Sequence, residues 1–520
     1  MYLSAVPGAP RAPGATPCAI VRPVSDSDAP ATNPTKPRAP TTDADPPRAP
    51  ARLPPSVTHF GLSCVSLCVV LAVMYLLRVK AFPFPVPNPV MALCAAVAVP
   101  VVLLDVLVLK VHLRETTGLD WEKPFEPAYA RLATKLLGLV ATLAPFALAY
   151  WVFPEYNGTF YKPFYELLYH SWPGLVLATI VYFMVVDSHM REPEDAYYRL
   201  GRVVLFRNDG PEKSGKKGEI ANLYRGWLVK AYFFPLMFVW LNNSTHNVVN
   251  YDLSNASWDN LRAYDFLYQF IFFVDLVFST VGYALCFRPI DTHIRTAEPT
   301  MLGWVVALFC YEPFFSGLME KQYAHYGGNN FDGWLDPSQY PKVFEGRWLG
   351  WLGGMIGPTR WHDAVLTFRW VWVGVVVALI LVYVLATITF GVRFSNLTHR
   401  GILTNGPFRY TKHPAYVSKN LSWWMTAVPF VITDDLAHTV KRCLLLGVVN
   451  FMYFMRAKTE ERHLSRDPVY VEYALWMNEH GWLRFLGRIP IAGAIFRYQP
   501  PAQAVPITGE PYRYEIRAAE

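Results

Sequence analysis

Two short polar stretches near the C-terminal end carry residue types and spacings suited to chemistry on a small charged molecule. The first runs from Gly401 to Trp424 as GILTNGPFRYTKHPAYVSKNLSWW, and the second from Phe454 to Trp476 as FMRAKTEERHLSRDPVYVEYALW. Pro414 fixes its own φ and biases His413 away from helix, so the His-Pro pair marks a break that lets His413 and Tyr416 face a ligand. In the second stretch Arg456 and Glu460 lie four apart and share a face if the segment is helical. Glu460 and Glu461 could accept hydrogen bonds from hydroxyls or an ammonium, while Arg456 offers a planar fork to a carboxylate. The plainer alternatives are an interfacial loop whose Tyr and His are belt residues, and a solvated helix end with one i, i+4 ion pair. A carboxylate acceptor is already ionised near neutral pH and needs only desolvation and an electrostatic clamp, for which Arg456 is the first candidate and Lys412 the second. An amine acceptor must lose a proton, and Glu460 or His413 would then be the base.

The elements that must position these residues are a helical hairpin. Tyr416 to Ile432 and Val440 to Met455 are apolar, and Thr433, Asp434 and Asp435 form the turn between them. Two helices that each cross a bilayer once return the chain to the side it left, so the two polar stretches are expected to meet. Polar and basic groups set directly against apolar spans are costly to bury, which marks them as functional candidates.

Gly406-Pro-Phe-Arg-Tyr-Thr-Lys-His413-Pro-Ala-Tyr416, followed after the hairpin by Arg456-Ala-Lys-Thr-Glu460-Glu461 and then by Tyr470 and Tyr473, resembles the isoprenylcysteine carboxyl methyltransferases and their phospholipid methyltransferase relatives. The resemblance covers roughly the last quarter of the chain. It implies S-adenosyl-L-methionine as cofactor and no metal. It also implies a cofactor pocket built from Thr404, Asn405, Gly406, Tyr410, His413 and Tyr416, with Glu460, Glu461 and Tyr470 across the hairpin. Methyl transfer from a sulfonium is largely a matter of alignment, which supplies ~7 to 11 kcal/mol of a barrier. Two departures stand out: Lys412 occupies the position that is usually Arg in the carboxyl methyltransferases, and Arg462 and His463 cut the Glu run short. Lys cannot make the same bidentate contact, so the prenylcysteine acceptor does not carry over automatically.

Composition agrees with a membrane setting. The chain has 520 residues, 53% of them hydrophobic and 15% aromatic, with a mean hydropathy of +0.19. The fold class expected is all-α, a polytopic membrane protein of about ten transmembrane helices behind a disordered tail. The spans are Val57 to Leu77, Val90 to Leu109, Leu136 to Phe153, Leu167 to Val186, Trp227 to Leu241, Phe266 to Phe287, Met301 to Leu318, Trp370 to Phe390 and the hairpin pair. Residues 1–55, rich in Pro, Ala, Thr and Asp, form the tail; residues 56–363 form a multi-span region of unassigned role, and 364–520 the catalytic region. The net charge of +7 is explained by cytoplasmic loops rather than nucleic acid, since no basic, aromatic-interleaved soluble module is present. The seven cysteines form no C-x-x-C pair and support neither a disulfide framework nor a zinc site.

Arg191, Arg199, Arg202, Arg207, Lys213, Lys216, Lys217 and Arg225 follow the fourth span, whereas Asn242 to Asp265 is acidic, which places the first loop and the polar cluster on the cytoplasmic side. Asn157, Asn243 and Asn255 begin glycosylation triplets in loops assigned outside, where chance triplets are also common. Asp105, Asp275 and Glu312 fall within spans and are expected to pair between helices, with Arg369 and Lys230 as mates. The reading that follows is a membrane-embedded methyltransferase acting on a membrane lipid or lipidated acceptor, possible hosts being a bacterial inner membrane or the endoplasmic reticulum. A sterol-reductase-like NADPH enzyme and a transporter with a degenerate methyltransferase-like tail are the alternatives.

Overall fold

Long runs of Val, Leu, Ala and Ile satisfy their own backbone inside a single helix, which is what a chain crossing lipid requires. The computed structural model describes residues 52–82, 88–207, 218–257, 260–311, 315, 358–427, 436–506 and 514–516, and these are mostly helical. The helices are α1 (Phe60–Arg78), α2 (Pro89–Leu107), α3 (Tyr129–Val152), α4 (Lys162–His189), α5 (Ala196–Val204), α6 (Glu219–Val249) and α7 (Arg262–Ala284). They continue with α8 (Met301–Leu308), α9 (Pro358–Thr389), α10 (Pro414–Ala427), α11 (Leu436–Leu464), α12 (Pro468–His480) and α13 (Pro490–Phe496). Local chemistry sets several starts: Asn88 Oδ1 accepts from Val90 N at 2.9 Å with Pro89 next in line, and Asp467 Oδ1 accepts from Val469 N at 2.9 Å ahead of α12.

Among the described residues six helices, α1, α2, α3, α4, α7 and α9, are long and apolar enough to cross a membrane. Ten spans are therefore not reached on length and composition. The difference lies in four stretches. Helices α6 and α11 are long but carry Lys230 and Asn242, or Asn450 and Arg456, on surface that is partly or wholly buried in the protein. Helices α8 and α10 are short, and much of the stretch from Met301 to Leu318, Glu312 included, lies outside the described residues, as does the hairpin turn at Thr433 to Asp435. Residues 1–51 of the expected tail lie outside them too. By contrast Arg52 to Pro55, counted with that tail, is placed, and the Pro54 carbonyl accepts from Thr404 Oγ1 at 2.7 Å.

Residues Pro47–Glu520 make one compact unit. Its largest core joins α1, α2, α7 and α9 through Val70, Leu93, Val97, Phe273, Val277 and Ile380. Helices α3 and α5 meet more closely than side chains allow: a Cβ at Gly138 would stand 2.0 Å from the Tyr197 carbonyl oxygen, and one at Gly201 2.0 Å from that of Thr134. A short antiparallel pair, β1 (Thr296–Ala297) with β2 (Thr398–His399), ties the segment before α8 to the segment after α9. A second pair joins β3 (Ala504–Pro506) to β4 (Tyr514–Ile516) near the end of the chain.

Of the three acids expected to pair between helices, Asp105 and Asp275 do pair between elements, with other mates than Arg369 and Lys230, while Glu312 lies outside the described residues. Asp105 at the end of α2 meets Arg393 at 3.4 Å. Asp275 on α7 accepts from Tyr383 at 2.7 Å and Thr387 at 2.5 Å, two α9 residues four apart and so on one face. Lys230 Nζ instead sits 3.7 Å over the Trp227 ring, and Arg369 is buried with its guanidinium 5.6 Å from the Trp370 ring. Asn243 also departs from expectation, because α6 continues to Val249 and leaves this triplet on a helix instead of a loop.

Candidate active site

The loop from Phe390 to His413 carries the first polar stretch, and a buried arginine fixes its path. Arg400 Nε donates to Thr292 O at 2.6 Å, Nη1 to Gly282 O and Phe394 O at 2.8 and 3.0 Å, and Nη2 to Leu285 O and Val392 O at 2.6 and 3.2 Å. One planar fork thereby satisfies carbonyls at the end of α7 and in the turn after α9, a geometry lysine cannot reproduce. Gly401 follows with φ +109° and Gly406 with φ +54°, and a Cβ at Gly406 would stand 2.5 Å from Thr389 Oγ1. Tyr473 on α12 holds the far end of the loop by donating to Phe408 O at 2.6 Å.

Pro414 then opens α10, with the His413 carbonyl accepting from Val417 N at 3.0 Å. Its first turn faces the last turns of α11. His413 Nε2 lies 3.2 Å from Glu461 Oε1, and Tyr416 donates to Glu460 Oε2 at 2.8 Å. The His413 and Tyr416 rings stack, centroids 5.4 Å apart and 4° from parallel. The two halves of the motif, separated by the hairpin in sequence, form one cluster.

The two glutamates differ in role. Glu461 is buried between two lysines and a histidine: Lys412 Nζ lies at 2.5 Å as an ion pair without good hydrogen-bond alignment, His413 Nε2 at 3.2 Å and Lys458 Nζ at 3.2 Å. Burial alone would raise its pKa, but the His413 hydrogen bond and the Lys412, His413 and Lys458 charges outweigh it and hold Glu461 well below the usual carboxylate range. Burial pushes the Lys412 ammonium down, with Glu461 partly offsetting it. Glu460 is more open, its side chain 41% exposed, and its Oε1 carries no partner among the described residues.

Arg456 lies one helical turn before Glu460, 7% exposed and caged by aromatic rings. Its guanidinium carbon stands 5.0 Å from the Tyr416 ring, 5.3 Å from Tyr311 and 5.9 Å from Tyr453. Its Nη2 donates to Asn396 Oδ1, and Asn396 Nδ2 in turn donates to the Tyr283 and Tyr311 hydroxyls at 2.6 Å each. Sequence reasoning did not find Asn396, Tyr283 or Tyr311, which no short-range pattern connects to Arg456; it also passed over Tyr453, which stands three residues before Arg456 on α11. Lys458 was legible in principle, since it stands three residues before Glu461 on one helix.

The remaining candidates are placed as follows. Tyr470 is buried beside the cluster, within electrostatic reach of Glu461 and Glu460, and its hydroxyl has no hydrogen-bond partner. Thr404 and Asn405 face the N-terminal segment: Thr404 Oγ1 bonds Pro54 O at 2.7 Å and Asn405 Nδ2 bonds Thr58 O at 2.6 Å. Gly406 packs on α9 and α1, and Tyr410 lies at the surface with its ring 4.6 Å from that of Trp482. The cluster proper is therefore Lys412, His413, Tyr416, Arg456, Glu460, Glu461 and Tyr470, while Thr404, Asn405 and Gly406 shape the loop behind it. No group of His, Cys, Asp and Glu arranged to hold a metal occurs among the described residues.

Comparison with known families bears on this same stretch. Residues 364–468 match the family model of the phospholipid methyltransferases. This phospholipid methyltransferase region takes in most of α9, the Arg400 loop and both helices of the hairpin, and ends where α12 begins. The match supports a membrane methyltransferase and agrees with the resemblance drawn from the motif; it supports neither the reductase nor the transporter alternative. Neither the curated proteins nor the solved structures contain a match to the chain.

Proposed function

We propose that the region 364–520 is an S-adenosyl-L-methionine-dependent methyltransferase that modifies a membrane lipid or lipidated acceptor at the cytoplasmic face. The observation that carries the reading is the 3.2 Å contact between His413 and Glu461, which joins the two halves of a methyltransferase motif at one end of a helical hairpin.

The residues present fit the cofactor. Glu460 offers an unpartnered carboxylate oxygen at the mouth for ribose hydroxyls or an ammonium, and Tyr470 offers a buried hydroxyl still lacking a partner. The cofactor supplies an electrophilic methyl carbon on a sulfonium. Lys412, His413 and Lys458 hold Glu461, so that the first turn of α10 is fixed against α11 before anything binds. Tyr416, stacked on His413 and bonded to Glu460, presents a rigid aromatic wall. The apolar spans around the site exclude water and strengthen each charge inside it.

A phospholipid amine is the acceptor the geometry favours. Glu460 has a free oxygen to take the proton that the amine must lose as nitrogen bonds to carbon and the carbon–sulfur bond breaks. Arg456, the residue expected to clamp a carboxylate, is already committed to Asn396 and enclosed by tyrosines. A carboxylate acceptor therefore stands as the second reading. The test is calorimetry of S-adenosylhomocysteine and NADPH on the purified protein, followed by mass spectrometry of lipids and proteins incubated with deuterated S-adenosylmethionine. Saturable homocysteine-adduct binding and label on a lipid amine are expected; binding of NADPH alone would overturn the assignment.

A further inference from the structure

A cavity of about 1310 Å³ lies outside the hairpin site, between α3, α4, α6 and the segment 285–297, with Arg466 from the turn after α11 on its wall. Its lining has two characters. Between α3 and α4 part of the wall is apolar, with Leu139, Leu143, Leu175 and Tyr182, and the Lys135–Asp187 ion pair closes the rest of it. Both helices are long and apolar enough to cross a membrane, and Leu143 and Leu175 are exposed on the outer surface, so this end faces the hydrocarbon region. The other end is cationic, lined by Arg225, Lys230, Arg288, Arg295 and Arg466 together with His293.

The charges there are not internally balanced. Of the acids in the wall, Asp187 is held by Arg131 at 2.8 Å and Lys135 at 2.8 Å, Asp195 lies 3.3 Å from Lys135, and Glu219 lies 3.2 Å from Arg199. Glu192 and Glu194 are exposed. Among the described residues none of Arg225, Lys230, Arg288 and Arg466 meets a carboxylate; Arg288 donates to the Thr117 carbonyl at 3.1 Å, and Lys230 rests on the Trp227 ring. Among the described residues two buried polar atoms in the wall, His293 Nδ1 and Arg295 Nε, have no hydrogen-bond partner, although Arg295 Nη2 is paired with Asp291 at 3.4 Å. Buried donors left unsatisfied beside an excess of positive charge call for an anionic group to complete them.

We propose that this cavity binds an anionic phospholipid, its phosphate at the Arg225, Lys230, Arg288 and Arg295 end and its chains lying between α3 and α4. The site is separate from the methyl-transfer cluster and does not rest on its assignment. A free phosphate would satisfy the cationic end but would leave the apolar arm unfilled, which is what favours the lipid.

The test is native mass spectrometry of the full-length protein in maltoside micelles titrated with phosphatidylglycerol, phosphatidylcholine or inorganic phosphate. Saturable retention of phosphatidylglycerol is expected, at least tenfold tighter than phosphatidylcholine. The double variant Arg225→Gln/Lys230→Gln is expected to weaken it at least tenfold while S-adenosylhomocysteine affinity stays unchanged. Equal binding of the two lipids, or displacement of phosphatidylglycerol by inorganic phosphate at matching concentration, would overturn the proposal, and so would a folded double variant with undiminished affinity. Leu143→Trp, which fills the apolar arm from an exposed position and leaves the charges in place, gives an independent reading should the double variant fail to fold. It is expected to weaken phosphatidylglycerol severalfold, and unchanged binding in that variant counts against the lipid.

Discussion

At the scale of single residues, Glu461 and Tyr470 make opposite predictions about stability. Glu461 is stabilised as an anion by Lys412, His413 and Lys458, so its folded pKa lies below the ordinary glutamate value of ~4.3. Its contribution to stability is then complete above that ordinary value and is lost as pH falls through it toward the folded pKa. Glu461→Gln is expected to lower the thermal midpoint at neutral pH, with the gap to the parent protein narrowing below about pH 4.3. A gap that stays constant down to pH 3 would mean that the charge is not what Lys412, His413 and Lys458 recognise. Tyr470→Phe removes a buried hydroxyl that has no partner, and is expected to leave stability unchanged or to raise it by up to ~1 kcal/mol. If that hydroxyl serves the cofactor, the same variant binds S-adenosylhomocysteine roughly tenfold more weakly, a loss of ~1.4 kcal/mol. Calorimetry and thermal denaturation on one sample separate the two effects. The residues of this cluster were legible because the motif is dense and local, whereas Asn396, Tyr283 and Tyr311 were not, because they arrive from the loop after α9, from α7 and from the segment after α8.

At the scale of elements, the approach loop is held by backbone geometry more than by apolar contact. Arg400→Met is expected to destabilise the protein by at least ~3 kcal/mol, since it strands several buried carbonyls that no aliphatic side chain can satisfy. Gly406→Ala is expected to cost ~1 to 3 kcal/mol through a positive φ and the approach of its new methyl to Thr389. Thermal midpoints of both variants in detergent provide the measure, and an Arg400→Met protein as stable as its parent would show that water reaches those carbonyls. The hairpin was readable from its apolar runs, and its ends do meet. What the sequence pattern missed is which helices are shielded by protein: α6 and α11 hide polar side chains against neighbours, and hydropathy alone cannot tell a lipid-facing helix from one enclosed by others.

At the scale of the whole molecule, α6 decides the topology although it is not among the six helices long and apolar enough to cross. Its 31 residues extend ~46 Å at 1.5 Å each, enough for a bilayer despite their polar content. If α6 spans, Phe206, 97% exposed after α5, and Asn255 after α6 lie on opposite faces. Phe206→Cys and Asn255→Cys, placed singly in a chain whose native cysteines are replaced, are expected to react with a membrane-impermeant maleimide from opposite sides of sealed vesicles. Labelling from the same side would remove α6 from the spans and reverse the face assigned to everything after it. The asymmetry of basic residues is the sequence argument for this orientation, which the labelling tests; the pairing of Asp105 with Arg393 was not legible, because it joins positions far apart in the chain.

The seam between Pro54–Thr58 and Ile402–Asn405 has a consequence in time. Val57 N bonds Ile402 O at 3.1 Å, Thr58 Oγ1 bonds Thr389 O at 2.8 Å, and Thr404 and Asn405 reach back to Pro54 and Thr58. Residues 54–58 leave the ribosome more than 300 residues ahead of the partners that complete this stitch. A nascent chain halted before residue 389 would therefore leave its entry segment dangling and open to proteases, and emergence of residues 389–405 would be the event that locks it down.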